Sequence, residues 1–472
     1  MAAPQLTNPM PDFPITPEVE RIGRAVEKAG GRPILVGGWV RDCLLGHPHS
    51  KDFDIEVFGL TTAELQAVLA PFGPVHTVGR HFGVLKLSTR EAEYDISVPR
   101  RESKIGVRHK DFAVTADPGM SFEEAAARRD FTINSIGFAF LERKTLDPHR
   151  GQEDLALRVL RHTGPAFGED PLRVLRAMQF AGRFGMTIAP ETIGICRRQD
   201  LSHLPAERIW EELRKLLLLS SDPSRGLRYA RALNVLPYFP EWEALEAMGE
   251  TEIDGNRAEP AEFTRNTVDR AATLRSGAGH EDLVLMFAAW THLFGLPELD
   301  PQQRGPQERG PARIAEAAGT PIRRFLSRLT REIGLPDQVA ALVRDLPTPE
   351  MLFAARAANP DPAIRRLALR VHLPLLLKLA RARHEARHAP GAAPVFAAGD
   401  WFAGRARALG VYAGPPGPLL KGRHLLELGL QPGPGLGPLL EQAFQLQLDG
   451  AFATLDDALD WARATLKAGR GS

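Results

Sequence analysis

"ILVGGWVRDCLLGHPHSKDFDIEVFG", residues 34–59, joins an apolar run to two glycines and to Arg41 and Asp42, then, past a short polar loop, to Asp52 and Asp54 one residue apart. Successive side chains of a β-strand alternate faces, so Asp52 and Asp54 of "DFDIEV" point one way while Phe53 and Ile55 point the other. Two carboxylates that close repel and raise one another's pKa unless a cation lies between them. The arrangement therefore asks for a hard divalent ion such as Mg2+, which prefers oxygen ligands. Gly37 and Gly38 permit close backbone approach where the first strand ends, and "WVRDCLLG" can open a helix whose N-terminal amides attract phosphate. Arg41 in that first turn would add a charge-assisted clamp on phosphate oxygens. Taken singly, an Asp-x-Asp is usually a solvated edge strand and a Gly-Gly usually a turn; their combination at this spacing suits a metal-bound triphosphate. No Walker-type Gly-x-x-x-x-Gly-Lys segment competes for the phosphates.

The chain around this stretch has 472 residues, which at roughly 150 residues per domain predicts three or four domains. Its formal net charge is +1, so any contact with nucleic acid requires local basic surfaces. Two cysteines, Cys43 and Cys196, make neither a disulfide framework nor a zinc site, and a reducing, cytoplasmic setting fits best. The start "MAAPQLTNPMPDFPITPEVE" does not read as a secretory signal. The densest apolar run, "LPLLLKLA" near residue 376, is far short of the ~18 residues of a membrane span, so a soluble protein is expected.

Residues 33–160 carry strand patterns, "PILVGGW", "FDIEVFG", "HTVGRHFGVLKLS", "EYDISVP" and "FTINSIGFAFL", beside the helically spaced "TAELQAVLAPFG". From 170 onward Leu, Ala and Arg recur at helical spacing and the remainder reads as nearly all helix, interrupted by Pro/Gly-rich loops at 297–311 and around 412–418. No internal repeat is evident. The basic stretch "RRESKIGVRHKDF" (100–112) reads as a loop between strand and helix.

With these motifs in place, the sequence resembles the class II tRNA nucleotidyltransferases, the CCA-adding enzymes, and the related bacterial poly(A) polymerases. Gly37 to Asp54 match the family's Gly-Gly-x-Val-Arg-Asp-x-Leu-Leu-Gly and Asp-x-Asp motif, and "RRDFTIN" (128–134), "DPHRGQEDL" (147–155), "EDPLRVLR" (169–176) and "ERIWEELRK" (207–215) follow in the family's order. The resemblance implies an α+β fold in which a polymerase-β-like nucleotidyltransferase head (16–163) follows a flexible N-terminus (1–15). An all-α neck that selects the nucleotide (164–240), a helical body (241–395) and a tRNA-binding helical tail (396–472) would come after it. It also implies that Asp52, Asp54 and Asp95 of "EYDISVPRRE", where the family more often has Glu, hold two Mg2+ ions that activate the RNA 3'-hydroxyl and stabilise the leaving pyrophosphate. Asp95 reads equally well as a strand residue facing solvent.

The same resemblance places Arg129 near phosphate and Asp130 near the ribose, whereas the plain reading of "RRDFTIN" is a helix end before a buried strand. Asp170 and Arg173 lie three apart, on one helix face. Cytosine and adenine both show an amino donor beside a bare ring nitrogen, so a carboxylate and a guanidinium together can accept CTP and ATP and reject UTP and GTP. The structural alternative is that Asp170 caps a helix with Pro171 at its first position. Arg176 would extend this basic face, Asp147 and Asp154 are expected to be structural, and "ERIWEELRK" to be support, with Glu211 pairing Lys215.

For RNA, the run from Arg356 to Arg387 holds eight Lys or Arg against Asp361 and Glu385 and reads either as a phosphate-tracking surface or as a solvated helix face. The segment 419–444 resembles the tail of CCA-adding enzymes, and "VGRHFGVLKL" (78–87) resembles their form more than that of the poly(A) polymerases. His292 is followed by Leu293, which departs from the His-Asp pair of a metal phosphohydrolase domain, so no such activity is expected. The leading expectation is an enzyme that adds or repairs the 3'-CCA of tRNA from CTP and ATP. The alternatives are a poly(A) polymerase, a relative adding only CC or only A, and, from another class, a non-catalytic RNA-binding protein.

Overall fold

The computed structural model describes residues 13–46, 53–78, 84–104, 112–299, 310–389 and 394–469. Asp52 and His81 to Gly83 lie outside the described residues. The chain divides into two compact units, 1–216 with 225–238, and 217–224 with 239–472.

The first unit is built on a seven-stranded sheet. Its strands are β1 (Arg32–Val36), β2 (Asp54–Phe58), β3 (Val75–Val78), β4 (Val84–Ser88) and β5 (Glu93–Ser97), then, after a separate pair β6 (Arg100–Lys104) and β7 (Phe112–Ala116), β8 (Gly137–Ala139) and β9 (Lys144–Leu146). The order across the sheet is β3-β4-β5-β2-β1-β8-β9. Neighbours run antiparallel except β2 and β5, which run parallel in the centre. Ile34, Leu35, Ile55, Val57, Leu85 and Ile96 are buried along these strands, so the apolar alternation in the sequence is what fixes their register.

Helix α1 (Pro17–Lys28) starts where Thr16 accepts from the Val19 amide, with Pro17 at the first turn, and it buries Val19, Ile22 and Val26 at helical spacing. The basic stretch expected to be a loop is instead an antiparallel ribbon, Arg100 pairing Ala116 through to Lys104 pairing Phe112. Its polar residues carry little alternation because it stands outside the main sheet and backbone pairing, not a buried face, defines it.

The remaining α-helices of this unit are α2 (Gly38–Leu44), α3 (Thr62–Leu69), α4 (Phe122–Ala127), α5 (Gly151–Leu157), α6 (Leu172–Phe184), α7 (Pro190–Cys196), α8 (Ala206–Leu219), which runs three residues past the unit's boundary, and α9 (Pro223–Ala232), which enters the unit at 225. Asp147 accepts from the amides of Gly151 and Gln152 at 2.7 and 2.9 Å, and Asp154 accepts from the Thr132 hydroxyl at 2.7 Å. Both therefore hold α5 in place, as expected. A side chain at Gly151 would bring its Cβ to 2.2 Å from the Thr132 carbonyl oxygen, so only glycine lets α5 pack this closely. In α8, Leu213 and Leu216 are buried. The charge pairs there differ from expectation: Arg214 donates to Glu211, and Lys215 bonds Glu212, because both pairs form at i,i+3.

The second unit is helical, with one hairpin. "TEIDGNRA" folds as Thr251–Ile253 against Asn256–Ala258, its two-residue turn made by Asp254 (φ 53°) and Gly255 (φ 78°), the left-handed pair that a tight hairpin needs. Trp290 anchors the core edge-on to Trp242 and Phe325, at 4.9 and 5.2 Å between ring centroids. His292 lies in this core with Nδ1 bonded to the Ala289 carbonyl at 2.9 Å. Burial, and then the nearby positive charge of Arg383, lowers its pKa to about 3, so the ring is neutral near pH 7. The C-terminal helices Gly422–Glu427, Leu436–Asp449 and Leu455–Gly469 surround a cluster of their own, around Leu425, Ala443, Phe452 and Ala462.

The basic run from 356 to 387 is largely consumed inside this unit. Arg366 pairs with Asp449, Arg370 with Asp345, Arg381 with Asp400, and Arg383 and Arg387 with Asp254. Arg356 and Arg365 reach backbone carbonyls. Most of these side chains hold helices and hairpin together, so the run is not a continuous free surface. No helix among the described residues is long and apolar enough to cross a membrane.

Candidate active-site cleft

The centre of the first unit's sheet opens into a cleft of about 350 Å3. Asp54 begins β2, and in the parallel ladder it stands opposite Asp95 of β5. Adjacent strands are ~4.8 Å apart and paired residues face the same side. Both carboxylates are exposed and both line the cleft, while Ile55 and Ile96, next along each strand, are buried on the other face. Asp95 is thus a cleft residue and not simply a solvated strand position.

Gly37 closes the approach from the neighbouring strand. Its φ of 75° and ψ of −142° lie in a region essentially restricted to glycine, and an added Cβ would stand 3.2 Å from Asp54 Oδ2 and 3.6 Å from an Arg129 guanidinium nitrogen. The bare backbone leaves that space open beside the acid. Gly38 is the first residue of α2.

Four arginines face the acids. Arg100, Arg128, Arg129 and Arg173 line the cleft together with Asp54, Glu56, Asp95 and Glu169. Arg129 donates to Glu56 at 3.1 Å, and its Nε is buried with no hydrogen-bond partner among the described residues. Arg173 is held by two carbonyls, Ala166 at 2.7 Å and Arg128 at 2.8 Å. Arg128 lies 3.4 Å from Glu169.

Three expected positions are engaged by other side chains of the unit. Arg41 does not line the cleft: it is 4% exposed, its guanidinium donates to Asn134 at 2.7 Å and to Asp42 at 2.8 Å, and it stacks on Phe184 at 4.4 Å. These contacts tie α2 to α6. Asp130 is 8% exposed and accepts from Arg176, Asn134 and the Phe131 amide at 2.7, 2.9 and 2.8 Å. Burial pushes its carboxyl up, but the Arg176 charge and these hydrogen bonds outweigh it and hold the group below its ordinary value. Asp130 is thus held by three partners within the unit. Arg176, in turn, closes on Asp130 and lies 3.8 Å from the buried Glu212.

Asp170 and Arg173 are only partly joined. Asp170 precedes α6 and accepts from the amide of Leu172, the first residue of that helix, at 3.1 Å. Its other oxygen takes a bond of 2.7 Å from Arg208 on α8. Arg173, the second residue of α6, lines the cleft.

Six matches to known proteins bear on this geometry. The family described as "Poly A polymerase head domain" matches residues 34–161, and that described as "Probable RNA and SrmB- binding site of polymerase A" matches residues 185–245. The Multifunctional CCA protein of Nitrosococcus oceani is 38% identical over 289 residues, 59% of this chain and 68% of that protein. The chain belongs to the tRNA nucleotidyltransferase and poly(A) polymerase family. Another member, the Multifunctional CCA protein of Stenotrophomonas maltophilia, is 40% identical over 277 residues, 57% of this chain, and the match spans 65% of that relative's length. In fold, the chain resembles the Thermotoga maritima CCA-adding enzyme complexed with tRNA, with TM-score 0.60, 18% identity and 96% of each chain covered. It also resembles the Bacillus stearothermophilus CCA-adding enzyme in complex with CTP, with TM-score 0.56, 21% identity, and coverage of 96% of this chain and 100% of that one.

Sequence reasoning overlooked several cleft residues of this family member. Glu56 continues the alternation of "DFDIEV" on the acidic face and was legible there. Arg128 sits beside Arg129 in "RRD". Glu169 and Arg208 carried no separate signal, since only the packing of α8 against the start of α6 brings Arg208 to Asp170.

Proposed function

We propose that this chain is a cytoplasmic nucleotidyltransferase that adds or repairs the 3'-terminal CCA of tRNA from CTP and ATP. The observation that carries this reading is Asp54 in register with Asp95, facing an arginine-lined cleft. Catalytic head and nucleotide-selecting neck fall in the first unit on this reading, and body and tail, which hold the RNA, in the second. The two cysteines are buried and not joined in a disulfide, in keeping with a reducing compartment.

The oxygen-only donor pair, with the space that Gly37 keeps open beside it, fits Mg2+. Among the described residues no group of three or more metal-ligating side chains is assembled; Asp52 is the residue that would join Asp54 and Asp95 as ligand to two ions. When bound, Mg2+ lowers the pKa of the RNA 3'-hydroxyl and neutralises charge gathering on the triphosphate. The 3'-oxygen forms its bond to the α-phosphorus as the bond to the β-phosphate oxygen breaks, the hydroxyl proton passing to solvent and pyrophosphate leaving. Arg129, with its spare Nε, and Arg128 and Arg100 offer donors to the phosphates, and Glu56 holds the Arg129 fork in place. Gly37 and Gly38 bring backbone close to the nucleotide. Arg41, Asp130 and Arg176 act as positioning residues, fixing α2 and α6 about the cleft.

Base selection falls to Asp170 and Arg173, and it depends on Arg208. A carboxylate that already accepts from a helix's first amide and from a guanidinium has its orientation set before the base arrives. Arg208→Ala is expected to raise UTP incorporation relative to CTP by about tenfold, with Arg208→Lys recovering part of the discrimination. Asp170→Ala should act in the same direction, and the double substitution should add little to either single one. Single-turnover incorporation of each nucleotide would measure this; unchanged ratios would return both residues to helix support.

The function as a whole is tested with tRNA transcripts ending before CCA, incubated with Mg2+ and CTP, ATP or both. Stepwise addition of two C and one A supports it. A long adenosine ladder would replace it with a poly(A) polymerase, additions stopping at CC or limited to A with a partial-activity relative, and no incorporation at all with a non-catalytic RNA-binding protein.

A further inference from the structure

The second unit contains a pocket of about 310 Å3 that the reading above does not use. It lies where helix Leu373–Glu385 meets helix Ala397–Ala408. Lys378 and Arg381, one turn apart on the first helix, and Arg407 on the second line it, with Phe396 and Tyr412 as aromatic walls. Against these three cations the lining holds a single carboxylate, Asp400, which Arg381 engages at 2.7 Å. Lys378 forms no ion pair among the described residues, in contrast to most basic residues of the 356–387 run. Arg407 is exposed, and its guanidinium stacks on the Tyr412 ring at 4.3 Å.

The chemistry selects a ligand. An excess of two positive charges, one a compact ammonium and one a planar fork, suits a phosphate group. A guanidinium held flat on an aromatic ring offers a plane on which a nucleobase stacks, and the apolar floor of Leu274, Pro374 and Leu377 accepts the sugar or base edge. A half-open volume of this size accommodates one nucleotide. We propose that Lys378, Arg381, Arg407, Phe396 and Tyr412 form a second nucleotide-binding site, in the helical unit, that takes one nucleoside monophosphate moiety. Its phosphate lies on Lys378 and Arg407 and its base on the Arg407–Tyr412 stack. The moiety is either a free nucleotide or one unstacked residue of a bound RNA. The site does not depend on the catalytic reading, because none of its residues belongs to the cleft.

The test uses the full-length chain and the variants Lys378→Glu and Arg407→Glu, both at partly or fully exposed positions, with thermal melting as a check on folding. Calorimetric titration with AMP and CMP gives binding stoichiometry, and binding of a tRNA transcript lacking CCA is followed at several salt concentrations. If the moiety is a free nucleotide, one of two AMP sites disappears in the variants while RNA affinity is unchanged. If it belongs to RNA, transcript affinity falls by about tenfold and its salt dependence becomes shallower by about one charge per substitution. Arg407→Lys, which keeps the charge but loses the planar stack, should retain the salt slope and lose part of the affinity. CTP incorporation at saturating RNA stays at the wild-type level, so failure of this site and failure of the catalytic reading are separable. Unchanged nucleotide stoichiometry together with unchanged RNA affinity and salt slope overturns the proposal.

Discussion

Asp54→Ala is expected to lower CTP and ATP incorporation by about a thousandfold or more, with RNA affinity within about twofold of wild type. The carboxylate stands at the start of β2, exposed and in register with Asp95, so its removal opens no cavity in the core. Melting temperature should therefore remain close to that of the parent, and relief of like-charge repulsion with Asp95 acts, if anything, in the stabilising direction. Calorimetric or fluorescence titration with Mg2+ or Mn2+ supplies a second readout, in which the variant loses metal affinity independently of turnover. Substantial incorporation by Asp54→Ala would refute the assignment of this acid to metal binding and, with it, the catalytic reading of the cleft.

Arg176→Ala is expected to destabilise the first unit by about 3 kcal/mol, the usual consequence of leaving a buried charge without its partner. The orphan is Asp130, which would keep Asn134 and the Phe131 amide and lose the guanidinium that bonds it at 2.7 Å. The sign with pH follows from the direction of the Asp130 shift. Its folded-state pKa lies below the ordinary value, so the stabilisation it contributes is present above the unfolded pKa of about 3.9 and is lost as pH falls through the folded value. In the variant, burial without the cation raises the folded pKa instead, and the penalty grows as pH rises above about 4. The stability gap between the two proteins should thus be widest near neutrality and narrow on acidification. Denaturant titrations at pH 7 and pH 4 would measure it, and a gap independent of pH would mean that Arg176 contributes through packing on Phe180, over which it lies at 5.0 Å. Asp130→Asn combined with Arg176→Met should recover part of the loss, since it removes both charges together.

These two residues illustrate what the sequence discloses and what it does not. Strand alternation told which way Asp54 faces, because a period of two is a local property of "DFDIEV". It did not tell that Asp130 is closed off, because the guanidinium that occupies it comes from Arg176, 46 residues later, on a helix packed from another direction. The surroundings of Arg41 were hidden for the same reason: Asn134, Phe180 and Phe184, all far along the chain, build the pocket that receives it. The Asp254–Gly255 turn carried a readable hairpin signal, but its strands of three residues each are too short for alternation to register. Charge runs misled most, since composition cannot distinguish arginines that face solvent from those that Asp254, Asp345 and Asp449 neutralise. Local periodicity reports orientation, whereas partnership is decided by tertiary packing.

The spacing of Asp54 and Asp95 is set by main-chain hydrogen bonding between two central parallel strands, not by the side chains themselves. A slip of one residue between these strands would bring Ile96 to the mouth of the cleft and bury an acid in its place. Partial loosening of the sheet's centre would consequently silence the chemistry while the helices still registered as folded, and heat inactivation is expected to precede loss of helical signal.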